Sequence, residues 1–187
     1  MQKKINAYFI LILIIISSCG KDNDNQTTSI DVSKQWIIDP LGNIVSSPGD
    51  GQWQRKTFTT QELSLFNSLD TANLSGTTTP DSLFESLAFY TYPNPFLTTN
   101  LLFLRFANGF SGQIVFKCVL VDSLMTPLYK AAARLNIIAS TIPPFFSAGS
   151  IMFNPTVPIG RFRFYYTLSS QSNPHFYKCW GNIQKTP

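Results

Sequence analysis

Two prolines one residue apart, Pro93 and Pro95, constrain this 187-residue chain more than any other feature. Each ring fixes φ, removes a backbone donor and biases the preceding residue away from the helical region. Tyr90-Thr91-Tyr92-Pro93-Asn94-Pro95-Phe96 therefore reads as a stiff extended corner that feeds a strand. Behind it come the apolar run Leu101 to Phe106, a turn at Asn108-Gly109, and a second run from Gln113 to Val121. A tyrosine-rich corner, a strand, a glycine turn and another strand, in that order, form the beginning of a β-sandwich edge.

The rest of the C-terminal half continues in the same mode. Strands are expected at about 87–92, 101–106, 113–121, 127–137, 149–153, 161–168 and 175–183, separated by Gly, Pro, Asn and Ser clusters. Short strands at this spacing suggest an antiparallel sandwich rather than a βαβ fold. The cleanest period of two runs from Gly160 to Leu168. It puts Phe162, Phe164, Tyr166 and Leu168 on a core face, and Arg161, Arg163 and Tyr165 on the other. At Ala131-Ala132-Ala133 a helical turn competes with the strand.

Residues 31–86 read as a smaller, irregular region packed on the sandwich. Trp36-Ile37-Ile38 and Asn43-Ile44-Val45 flank Asp39-Pro40-Leu41-Gly42, a β-turn with proline and glycine well placed. Ser47 to Gly51 forms a second turn, leading into a strand around Trp53. Thr60 is a candidate N-cap for one short helix over Gln61 to Leu69, with Leu63, Phe66 and Leu69 on one face. Asn73 to Pro80 is a Ser/Thr/Gly loop.

The start of the chain is a targeting device. Lys3 and Lys4 precede an apolar run of ten residues, Ala7 to Ile16. A spanning helix needs about 20 residues, so residues 1–18 are expected to be a secretory signal. The run closes on Ile16-Ser17-Ser18-Cys19, which resembles a bacterial lipobox and implies lipidation of Cys19. Acyl chains at ~0.8 kcal/mol per buried methylene would make membrane attachment effectively permanent. Residues 19–30, polar and small after the cysteine, read as a flexible tether. Asp22 and Asp24 there resemble the surface-export signal of Bacteroidetes lipoproteins. The expected location is the outer membrane, lipid-anchored in either leaflet.

Charge is divided unevenly. Residues 21–92 hold four basic and nine acidic residues, a net −5, whereas residues 93–187 hold eight basic residues and Asp122 alone, a net +7. Such a division suits internal pairing or an anionic partner. Export removes nucleic acid as a partner, leaving acidic glycans or lipid phosphates as the available anions.

Three pieces of the C-terminal half resemble the C-terminal sorting-domain family of Bacteroidetes secreted proteins. They are Tyr92-Pro93-Asn94-Pro95-Phe96, the strand Gly112 to Val121 ending in Asp122, and Gly160 before a final aromatic strand. The resemblance covers about residues 87–187 and implies a seven-stranded Ig-like β-sandwich recognised by the type IX secretion machinery. Where the family has a glycine soon after the central aspartate, this chain has Leu124-Met125-Thr126-Pro127. A lipid-anchored carrier also has little need of a second sorting signal, so the fold is the part of the resemblance carried over.

Candidate chemistry is sparse. A glycosidase needs two facing carboxylates, and the C-terminal half has one, so Glu62, Asp81 or Glu85 would have to serve. A metal site needs clustered ligands, and there is a single histidine. On a strand, His175 and Cys179 sit roughly 13 Å apart at ~3.3 Å per residue, too far for a Cys–His nucleophile. Cys118 and Cys179 make an even pair outside the cytosol, so a structural disulfide and two buried thiols both stand. Thr71 and Ser82, each after an aspartate and before an aliphatic residue, resemble the Bacteroidetes O-glycosylation motif, as does Ser123. An apolar loop tip at Phe145 and Phe146, and the aromatic and arginine residues Arg161, Arg163 and Tyr165, are the candidate partner contacts. These readings converge on a non-enzymatic envelope protein without cofactor or metal. It would bind, or act as an accessory of an outer-membrane secretion or uptake assembly, with a glycan-binding module as the alternative and a hydrolase behind both.

Overall fold

The structure is a computed structural model that describes residues 29–49, 51, 53–55, 57–69, 90–107, 112–137, 146–153, 155–169 and 177–187. Among these the chain is mainly β, with one short helix. β1 (Ile37–Ile38) and β2 (Ile44–Ser46) pair as a two-stranded sheet. β3 (Gln54–Arg55) precedes the helix α1 (Thr60–Ser64). Then come β4 (Tyr90–Tyr92), β5 (Asn100–Ala107), β6 (Gly112–Val121), β7 (Pro127–Ile137), β8 (Phe146–Phe153), β9 (Gly160–Ser169) and β10 (Tyr177–Lys185). A three-stranded sheet runs β4-β5-β8 and a five-stranded sheet runs β3-β10-β9-β6-β7, both antiparallel.

Ala131, Ala132 and Ala133 lie within β7, opposite Cys118, Lys117 and Phe116. Pairing along nearly the whole of β6 outweighs the helix preference of three alanines. The helix is shorter than expected and starts one residue earlier. Thr59 is the N-cap: its hydroxyl accepts from the Glu62 N–H, and the Glu62 carboxylate accepts from the Thr59 N–H. A cap at Thr60 would put Leu63 at the reciprocating position, where it has no acceptor to return.

The strands β6 and β9 of the five-stranded sheet are buried on both faces, where the period of two predicted one. Phe162, Phe164, Tyr166 and Leu168 enter the main core, as expected, with Phe116, Cys118, Tyr177, Cys179 and Ile183. Leu102 of β5 and Phe96 of the corner belong to the same cluster, so both larger sheets contribute to one core. Trp53 fills the space over Gly181; a Cβ there would lie 2.1 Å from the indole. On the opposite face Phe58, Leu65 and Phe66 cover Val119, Val121 and Tyr165. Phe58 meets Tyr165 edge-on at 5.4 Å. Two-sided cover explains why β6 and β9 are buried almost continuously rather than alternately.

Two hairpin turns share one design. Asp39 Oδ1 accepts from the Leu41 and Asn43 N–H groups, and the Gly42 N–H bonds back to the Asp39 carbonyl. Asp122 Oδ1 accepts from the Leu124 and Thr126 N–H groups, and the Met125 N–H bonds back to the Asp122 carbonyl. Gly42 has φ +85° and Met125 has φ +62°, so a methionine occupies the left-handed place that glycine takes in the first turn. The departure from glycine noted at Leu124-Met125-Thr126 is thus accommodated without a change of turn.

Candidate functional site

The double-proline corner is locked by the asparagine between its prolines. Asn94 is fully buried; its amide donates to the Trp36 and Asn182 carbonyls at 2.7 and 3.1 Å, and its Oδ1 accepts from the Gln184 N–H at 3.0 Å. Its backbone exchanges bonds of 2.8 and 2.9 Å with Ile38. Phe96 continues the contact, donating to the Gln184 carbonyl and accepting from the Thr186 N–H, both at 2.9 Å. The peptide bonds before Pro93 and Pro95 are both cis. One polar side chain thereby ties the corner to β1 on one side and to β10 on the other.

The first hairpin laid against this corner leaves a groove of about 480 Å³ between them. Ile37, Pro40 and Val45 form one wall; Pro93, Pro95 and Leu97 form the other. Val45 and Leu97 are more than half exposed, and Leu41 at the hairpin tip is 86% exposed. The ionisable group in the lining is Asp39, whose carboxylate is engaged by Asn43 Nδ2 at 2.8 Å and by the turn N–H groups. Those hydrogen bonds, that from the Asn43 side chain first, hold the Asp39 carboxyl below its ordinary range. A carboxylate stabilised in its charged form is a poor proton donor and a weak base, so the groove is built for apolar contact.

A second cavity, of about 420 Å³, lies where Ile30, the Thr59–Glu62 turn, Met125 and Tyr165 meet. Its acid, Glu62, is occupied by the helix cap. The Tyr165 hydroxyl donates to the Met125 sulfur at 3.6 Å, and burial raises its pKa. The Tyr165 hydroxyl therefore keeps its proton near neutral pH.

The predicted contact residues are placed differently from expectation. Arg161 is exposed, but Arg163 and Tyr165 are buried by the second layer. Arg163 donates through Nε to Asn182 Oδ1 at 3.0 Å and through a terminal nitrogen to the Asp31 carbonyl, with its guanidinium 3.8 Å from the Trp180 ring. The three therefore form no aromatic and arginine surface for a glycan, because the local alternation that defines a strand's second face does not say what covers that face. Phe146 begins β8 at the far end of the sheets from the groove. Cys19, Thr71, Ser82, Asp81, Glu85, Phe145 and His175 lie outside the described residues.

Cys118 and Cys179 form no disulfide. Both pair across to Tyr166, one from β6 and the other from β10, so β9 runs between them. Two strand spacings of ~4.8 Å separate them by roughly 10 Å, beyond the ~7 Å limit for bridging Cα atoms. The expected alternative of a structural bridge is corrected to two buried thiols. Burial lifts the Cys118 thiol from 9.0 to about 12. Among the described residues, His, Cys, Asp and Glu gather nowhere in a group of three able to hold a metal ion, and no helix is long and apolar enough to cross a membrane.

The groove residues were not singled out in the sequence. Ile37, Val45 and Leu97 are unremarkable alone, and the signal is that a region too small for its own core carries apolar side chains beside a rigid corner.

No protein-family model matches the chain, and no curated protein matches it either. One solved structure it resembles is a glycosyl hydrolase family 2 member from Bacteroides cellulosilyticus, at 6% identity and a TM-score of 0.31. That match covers 52% of this chain and 14% of the hydrolase. A likeness of that size carries no argument about fold or activity.

Proposed function

We propose that the chain is a lipid-anchored, non-enzymatic protein of the outer membrane that works by contact, as a binding or accessory subunit of a larger envelope assembly. What supports it is the groove beside the double-proline corner. It is open and apolar, and its carboxylate is already committed to a turn. The lipobox at Cys19 supports the anchor, and the family resemblance of residues 87–187 supports a Bacteroidetes origin. A seven-stranded Ig-like sandwich belongs to the same reading. The seven strands from β4 onward divide into β4-β5-β8 and β10-β9-β6-β7, and both groups contribute to one core.

The test is fractionation followed by purification. The native chain is expected in the membrane fraction with acyl mass on Cys19, and Cys19→Ala is expected in the soluble fraction. Purified in detergent, the native chain should bring down envelope proteins in fixed proportion. Recovery of this chain alone would count against the accessory role, and a hydrolytic activity abolished by Glu62→Gln would overturn the non-enzymatic reading.

A further inference from the structure

The most exposed apolar side chains of the described residues are not scattered. Among the described residues, Leu41, Val45, Leu97, Leu124, Met152 and Ile159 are each more than half exposed. Leu97 lies in the corner, Leu124 in the turn between β6 and β7, and Ile159 just before β9. Met152 pairs with Leu101 at the start of β5. The register brings these places to one end of the sheets: Val121 opposes Arg163, Gly160 opposes Lys185, Asn100 opposes Phe153, and Phe96 bridges Lys185. The hairpin with Leu41 and Val45 joins that end through the pairing of Ile38 with Asn94.

The chain also enters the fold at this apolar end. The Ile30 N–H donates to the Ser123 carbonyl at 2.8 Å, and the Asp31 carbonyl accepts from Arg163 and from Asn182. Ten residues separate Cys19 from Ile30. As a flexible coil they span on the order of 20 Å, and fully extended roughly 40 Å. The anchor point and the apolar end therefore lie within one short tether of each other.

Three of the charges at this end are engaged within the fold. Asp39 and Asp122 accept from their turns, and Lys185 Nζ donates to the Val157 carbonyl at 2.9 Å. Beside the aliphatic side chains, this end also exposes uncharged polar residues such as Thr98, Ser123 and Thr126, with Lys34 and Arg161 exposed as well.

We propose that this end of the molecule is seated on the lipid surface that carries the anchor, with Leu97, Leu124 and Ile159 dipping into its uncharged acyl boundary. The proposal rests on the lipid-anchored reading and names what the groove's rim contacts. Aliphatic side chains favour the boundary between headgroups and acyl chains, and a chain tethered at Cys19 meets that surface at high local concentration.

The test uses the mature acylated chain in phosphatidylcholine vesicles whose acyl chains carry bromine, a contact quencher. One variant is Leu97→Cys with a fluorophore on the new thiol; the control is Asn136→Cys, exposed at the opposite end. Cys118 and Cys179 are buried and stay unlabelled in the folded chain. The label at position 97 should lose most of its fluorescence and the label at 136 should keep it. Equal brightness at the two sites in brominated vesicles overturns the seating while leaving the anchor intact. Shielding at 97 that grows with protein density and ignores bromine assigns the end to a second copy or another protein, and also overturns it. An unacylated Cys19 in the native chain overturns the anchor and, with it, the seating.

Discussion

Met125 shows most directly how residue-scale terms compete. Its φ of +62° costs roughly 1–2 kcal/mol for a residue with a Cβ. Its side chain is buried in the second layer and takes the Tyr165 hydroxyl bond. Truncating a buried methionine costs about 2–5 kcal/mol, so packing wins. Met125→Gly should lower stability despite the relaxed backbone, by roughly 1–3 kcal/mol in urea unfolding; a more stable variant would mean that the Met125 side chain is not packed. Gly181→Ala should be worse tolerated, because its Cβ would enter the Trp53 ring and overpacking costs about 1–3 kcal/mol or more. Titration belongs to the same scale. Cys118, Tyr165 and Tyr166 all have raised pKa values, with burial the largest cause in each. A buried acid with a raised folded pKa adds stability that is complete below its unfolded value and is lost as the unfolded chain ionises. For Cys118 that window runs from 9.0 to about 12. The urea midpoint should therefore fall as pH rises through it, and Cys118→Val should shallow the decline.

At the scale of elements, seven strands of the C-terminal half were legible because each carries its own evidence: alternation, β-branched and aromatic residues, and Gly or Pro at the ends. The capping box was nearly legible, and the ambiguity of Thr59-Thr60 is resolved by which residue has glutamate three places on. Thr59→Ala should cost about 1 kcal/mol, read as a lower urea midpoint. Thr60→Ala should cost little, since alanine suits the first turn. The second layer was not legible. Phe58, Leu65 and Phe66 reach Tyr165 from far along the chain, and no local period reports that distance. The same reason hid the groove, whose two walls come from the first hairpin and from the double-proline corner. It also misplaced Arg163, whose role is to hold Asn182 and Asp31 together rather than to face solvent.

At the scale of the whole molecule, the described fold is closed by β10 against the segment from Asp31 to Lys34. The Asn182 amide donates to the Asp31 carbonyl at 3.2 Å and to the Lys34 carbonyl at 2.7 Å, spanning 151 and 148 positions of sequence. Asn182→Ala should remove the partner of Arg163 Nε and the amide bonds to the Asp31 and Lys34 carbonyls, a buried group left unmatched costing about 1–3 kcal/mol. The expected result is a cooperative loss of several kcal/mol in thermal unfolding, with Arg163→Met adding little to it. A variant as stable as the parent would mean that the ends close by another route. Nothing in the sequence pointed to this clasp, because asparagine and arginine usually face water. Its consequence is one of timing. A chain that emerges from a ribosome or a membrane pore N-terminus first presents Asp31 151 positions and Lys34 148 positions ahead of Asn182. β10, which also receives the corner and Trp53, is missing until then, and long-range pairing of this kind is slow to form. The fold is therefore withheld until β10 has been delivered, so the polypeptide remains threadable up to that point.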